Sequence, residues 1–215
     1  MRYRRLGRTD WMVSEVGLAL RALEGVDEAA AGATLGAALA QGVTLVVVDA
    51  REHEGGVEPL VGRVTTSERP RLVVLSRFER LAEASTFEAQ LLAAGKRVSD
   101  LGYLDVALFA QVPDAAQRAV LDTLATTRRV RAWGIETAET SIAAQAFEAG
   151  AHVLVAPADA SEALLASAAA AGAGVILDGD GTSIGVALAD VRVASVVVAA
   201  MGAAEVGALA TAARG

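Results

Sequence analysis

RLVVLSRFERLAEASTFEAQLLAAGKRVSDLGYLDVALFA, residues 71–110, holds one complete strand–helix–strand unit. RLVVLSR (71–77) and LDVALFA (104–110) are apolar nearly throughout. Strands buried on both faces of a parallel sheet read this way, whereas half-buried strands alternate. Between them, FEAQLLAAGKRVSDLG (87–102) has a helical Ala/Leu/Glu/Gln composition and ends on glycine, a C-terminal stop.

Outward from this unit the pattern recurs. Further strand candidates are SEVGLAL (14–20), VTLVVVD (43–49), VRAWGIE (130–136), HVLVAP (152–157), GVILDG (174–179) and ASVVVAA (194–200). EAAAGATLGAALAQG (28–42), AETSIAAQAFEAGA (138–151) and SEALLASAAAAGAG (161–174) are the matching helices, with Asp114 and Ser161 placed as N-caps. Units of roughly 30 residues repeated about eight times predict α/β architecture closed into a (β/α)8 TIM-type barrel. A length of 215 residues is near the lower end for that fold, which implies one domain over residues 1–215 with shortened loops. MRYRRLG and DWMVSEV predict an N-terminal β-hairpin cap over the barrel bottom. The rival, a doubly wound open sheet, places a Gly-rich phosphate loop after its first strand. Here LRALEGVDE (20–28) follows instead, without GxGxxG.

Composition narrows the function. The absence of Cys removes disulfides, thiolate metal sites and cysteine nucleophiles. A net charge of −7 argues against nucleic-acid backbones as partners, and 4% aromatics leave little for base stacking. The longest uncharged apolar stretch, ALLASAAAAGAGVIL (163–177), is too short to span a bilayer, so no membrane association and a cytoplasmic location are expected. No metal site is expected: REHE (51–54) supplies a single His, and DGDGTS (178–183) lacks the further ligands of a calcium loop. His152 opens a strand at the barrel bottom, where a structural role is the default, and Trp11 and Trp133 read as packing residues.

Six segments resemble the aldo-keto reductase family, in order along nearly the whole chain. MRYRRLGRTDWMVSEVGLAL (1–20) is similar to its opening RxLGxTGLxVSxLGLGT. AALAQGVTLVVVDAREHEGGVEPLVGR (37–63) resembles AxxxGxNxxDTAxxYGxGxSExxLGxAL, and RLVVLSRF (71–78) resembles the third strand, which ends in Thr-Lys. DLGYLDVALF (100–109), RRVRAWGIET (128–137) and VASVVVAAMGAAEV (193–206) resemble RLxxDYxDLxxxH, GKVRxIGVSN and the last strand with its phosphate loop. The resemblance implies a barrel that transfers hydride from NADPH to a carbonyl, with a tyrosine proton donor tuned by lysine and aspartate and a histidine orienting the substrate.

The four catalytic identities are absent at the matching positions. Alignment without gaps puts Val47 at the aspartate, Glu52 at the tyrosine, Arg77 at the lysine and Ala110 at the histidine. Asp49 could serve as the aspartate if the strand slid by two residues. The tyrosine has no such substitute. Tyr3 lies in the hairpin and Tyr103 at the wrong end of its strand, while the one lysine, Lys96, is near a helix terminus. A carboxylate cannot replace a phenol of pKa about 10, nor an arginine the tunable lysine. The cofactor positions change too: Glu136 and Thr137 stand for Ser-Asn, Val155 for the amide-holding glutamine, and Asp178 near the stacking tyrosine. Glu205 sits where a base would meet the adenosine phosphate and would repel it. The expectation is no bound cofactor, with NADP implied by the resemblance alone.

Charged residues still gather at the predicted C-terminal strand ends: Arg21, Asp49, Arg51, Glu52, His53, Arg77, Glu136, Asp178 and Asp180. Solvent contact alone makes such ends polar. A repurposed pocket would use Glu52 or His53 as general base and Arg77 as an anion clamp. The leading expectation is a non-catalytic aldo-keto-reductase-like subunit, a binding, regulatory or scaffold partner of another protein or of its own copies; Ala-rich helices with small residues on several faces suit close approach. The alternatives are a non-redox lyase or isomerase using Glu52, His53 and Arg77, and an NADP-dependent carbonyl reductase with an atypical site.

Overall fold

The computed structural model describes residues 1–50, 57–65, 68–179, 181, 184–200 and 202–212. The chain opens with an antiparallel pair, β1 (Tyr3–Arg5) and β2 (Met12–Ser14), in which Tyr3 faces Ser14 and Arg5 faces Met12. The barrel strands follow: β3 (Val16–Ala19), β4 (Leu45–Asp49), β5 (Val73–Phe78), β6 (Leu104–Phe109), β7 (Val130–Glu136), β8 (Val153–Pro157), β9 (Gly174–Gly179) and β10 (Val193–Ala199). All neighbours are parallel, and β10 pairs with β3 to close the barrel. A helix follows each strand, from α1 (Glu28–Ala40) after β3 through α2 (Val57–Val64), α3 (Ala84–Val98), α4 (Ala115–Thr126), α5 (Thr140–Glu148), α6 (Glu162–Ala170) and α7 (Ile184–Ala189) to α8 (Ala203–Ala212) after β10. The eight-unit barrel and the hairpin cap are as the sequence predicts.

The apolar strands have two destinations. Leu45, Val47, Leu75, Leu108, Val155 and Val197 fill the lumen, and the alternate residues pack outward beneath the helices. Each buried Leu or Val contributes roughly 1.5–3 kcal/mol, so both faces of every strand stabilise the closed sheet. Asp114 caps α4 through a capping box with Gln117, and the Ser161 hydroxyl accepts from the Leu164 N–H at the start of α6.

The hairpin plugs the lower end. Leu6 and Val13 join the lumen cluster and are fully buried. Room for Leu6 comes from Gly174: a Cβ there would lie 2.6 Å from Leu6 Cδ1 and 2.9 Å from its carbonyl carbon. Gly7 turns at φ +55°, and a Cβ on it would meet the Gly174 nitrogen. Glu15, nearly buried, accepts from Arg2 and Arg4 at 2.7 Å each. Burial alone would raise its carboxyl; the two guanidiniums outweigh burial and hold it below the usual range. Arg4 also donates to the carbonyls of Leu188, Asp190 and Val193, tying the hairpin to the β10 side. The first barrel strand therefore begins at Val16, two residues after Ser14, because Ser14 and Glu15 belong to this junction. Among the described residues, no helix is long and apolar enough to cross a membrane.

Candidate functional site

Parity along the strands decides what faces the barrel mouth. On β4 the inward set runs Leu45, Val47, Asp49; on β5 it runs Val73, Leu75, Arg77. The same alternation brings Glu136 inward at the end of β7 and Asp178 near the end of β9. On these four strands the inward-facing charges thus lie at the top layer, where C-terminal strand ends meet the loops.

Arg77 is the hub. Its Nε lies 2.6 Å from Glu136 Oε2, its Nη1 3.4 Å from Asp49 Oδ1 and its Nη2 3.4 Å from Asp178 Oδ2. The Glu136 contact is an ion pair and not an aligned hydrogen bond, since the Nε–H finds no acceptor along its direction. Asp49 and Arg77 are register partners across β4 and β5, which fixes their proximity in the backbone. From the 3-10 turn after β3, Arg21 forms a two-pronged fork on Asp178, with both contacts at 2.9 Å. Two guanidiniums therefore meet three carboxylates. Burial raises the Glu136 carboxyl above its ordinary value; Arg77 opposes this, and Asp178 and Asp49 add to it. A cleft of about 640 Å³ opens beside the network, lined by Arg21, Glu136, Thr137, Asp178, Gly179 and Ala199 among others.

The structure brings together Arg21, Asp49, Arg77, Glu136 and Asp178. Glu52, His53, Arg51 and Asp180 lie outside the described residues. Val47 is buried in the lumen among apolar side chains, so Asp49 is the acid beside Arg77. Ala110 is exposed just past β6. Both tyrosines are at the opposite end. The Tyr3 hydroxyl donates to the Gly42 carbonyl at 3.0 Å, and Tyr103 precedes β6. Lys96 is exposed in the last turn of α3, and Glu205 is exposed in the first turn of α8. His152 is half-buried; burial lowers its pKa, and its backbone N–H donates to Trp133. Trp133 packs against Phe109, and Trp11 packs on the lumen cluster. Among the described residues, no group of three His, Asp or Glu is placed to hold a metal ion.

A second polar network escapes sequence reasoning. Asp105 is fully buried on β6 and accepts from Arg69 at 2.6 Å, Arg131 at 2.9 Å and the Val74 N–H at 3.0 Å. A lone acid inside the apolar run LDVALF is the signal that marks it, because a buried carboxylate requires partners.

No protein-family profile matches the chain, and no curated protein sequence matches it. Solved structures do. A protein from Pseudomonas aeruginosa described as an aldo-keto reductase superposes with a TM-score of 0.81 at 18% identity, covering 99% of this chain and 95% of its own. The holo form of an aldo-keto reductase from Bacillus halodurans gives 0.85 at 16% identity, covering 100% and 91%; its apo form gives 0.81. The fold is a (β/α)8 barrel with an N-terminal hairpin, shared with these aldo-keto reductases.

Proposed function

We propose that this chain is a non-catalytic aldo-keto-reductase-like protein that acts as a binding, regulatory or scaffold subunit of another protein. One observation carries the reading: the strand-end layer that would hold a hydride-transfer site is occupied by an ion network centred on Arg77, and both tyrosines and the lysine sit elsewhere. An arginine held among three carboxylates is committed to them rather than to a carbonyl oxygen.

The described rim is also a poor fit for NADP. A dinucleotide phosphate needs cations or free backbone donors. Arg21 and Arg77 are already matched by Asp49, Glu136 and Asp178, and the first turn of α8 carries Glu205. Further negative charge there would meet repulsion.

Native mass spectrometry of the tagged chain recovered gently from its own host tests the subunit role. A stoichiometric protein partner or a stable self-assembly supports it; a bare chain opposes it.

One observation favours a second reading, a non-redox lyase or isomerase. Glu136 has a raised pKa and lines the cleft beside Arg77, a combination suited to general acid–base work. Turnover that disappears in Glu136→Gln while the fold persists would support that reading.

A further inference from the structure

The lower edge of the barrel carries a pocket of a different character from the mouth. Its volume is about 420 Å³, and it is lined by Tyr103, Ala125, Arg128 and Arg131, between the start of β6, the end of α4 and the start of β7. Arg131 engages one nitrogen, Nη1, with Asp105. Neither the Arg128 guanidinium nor the Tyr103 hydroxyl has a hydrogen-bond partner among the described residues. Behind the pocket wall, the Arg69 guanidinium lies 4.4 Å from the centre of the Tyr103 ring and is 3% exposed. Two guanidiniums, Arg69 and Arg131, thus pair with one carboxylate, Asp105, and a third, Arg128, lines the same pocket, in a chain whose net charge is −7.

The backbone points the same way. Arg128 follows the C-cap of α4 with φ +57°, the one non-glycine residue with positive φ among those described. Its N–H and that of Arg129 close the helix end on Ala125 and Leu124. Glycine is the ordinary occupant of this position, and a side chain there is strained. The strained residue is also the one whose charged group opens onto the pocket without a partner.

We propose that this pocket is a binding site for a small oxyanion, a phosphate or carboxylate headgroup. Arg128 and Arg131 supply the charged donors, the Tyr103 hydroxyl a further donor, and its ring a wall. Guanidinium forks match both headgroups geometrically. The site is at the opposite end of the barrel from the Arg77 network and does not depend on it.

Isothermal titration with inorganic phosphate and, separately, malonate at constant ionic strength tests the proposal. The native chain should bind at least one of them saturably. Saturation by phosphate alone assigns a phosphate-bearing ligand, and by malonate alone a carboxylate. Arg128→Gly should weaken binding by about tenfold or more, the loss of charge-assisted hydrogen bonds. The same change should raise thermal stability, because glycine tolerates the positive φ, so weakened binding could not be ascribed to unfolding. Tyr103→Phe should weaken binding to a smaller extent. Arg80→Gln, an exposed arginine beyond β5, should leave binding unchanged. Failure of both anions to saturate the native chain overturns the proposal, as does Arg128→Gly binding as tightly as native, or equal weakening by Arg128→Gly and Arg80→Gln.

Discussion

Replacing Arg77 with methionine removes the hub of the mouth while keeping a side chain of similar length. Asp49 is 8% exposed, Glu136 31% and Asp178 20%; Arg77 itself is 15% exposed. Deleting one partner of a fully buried ion pair costs about 3–5 kcal/mol. Glu136 retains some water and Asp178 keeps its fork with Arg21, so the loss lies near the lower limit, about 3 kcal/mol at neutral pH. For a chain of this length that is a fall in Tm of about 6–12 °C. The loss should depend on pH. The Glu136 carboxyl already sits above its ordinary value, so the folded state binds that proton more tightly than the unfolded chain. Its contribution is largest below the unfolded pKa and declines as pH rises through the folded one. Without Arg77 the upward shift widens, and the decline steepens. Calorimetry of native and Arg77→Met chains at pH 8.0 and pH 5.5 gives both quantities, and both values stay above the sequence pI of 4.9. A difference below about 1 kcal/mol at pH 8.0 would fit an exposed pair and would show that Arg77 does not hold a buried network together, as would an equal loss at both pH values.

Three further outcomes follow from the same geometry. Glu136→Gln should hold or raise stability at pH 8.0 and flatten the pH dependence in calorimetry, since it removes a carboxylate whose charged form burial opposes. Asp105→Ala should cost about 3–5 kcal/mol in urea denaturation, because it leaves Arg69 buried without its carboxylate; pairing it with Arg69→Met should recover much of the loss. Gly174→Ala should destabilise the fold by about 1–3 kcal/mol or more and so lower the urea midpoint, because its Cβ would strike both the side chain and the backbone of Leu6.

The sequence exposes the barrel well because lumen and helix-facing core both demand apolar residues, which makes VTLVVVD and LDVALFA unmistakable as doubly buried strands. It also places Arg21, Asp49, Arg77, Glu136 and Asp178 at one end, since all five fall at or just beyond predicted strand ends. It does not reveal their closure into one network, which depends on the β4–β5 register and the inward parity of four strands. Alignment without gaps puts Val47 in the acidic role, but parity extended to the strand terminus brings Asp49 to Arg77. The lower cluster is hidden for another reason: Arg69 and Asp105 are 36 positions apart, on a short 3-10 turn and a strand, and no local pattern links them.

The proposed non-catalytic role of the barrel mouth is tested by titrating the native chain with NADPH, read by cofactor fluorescence and then by absorbance with a panel of aldehydes and ketones. A non-catalytic mouth should show no saturable binding and no carbonyl-dependent oxidation. Stoichiometric binding followed by oxidation of the cofactor with any carbonyl in the panel would contradict it.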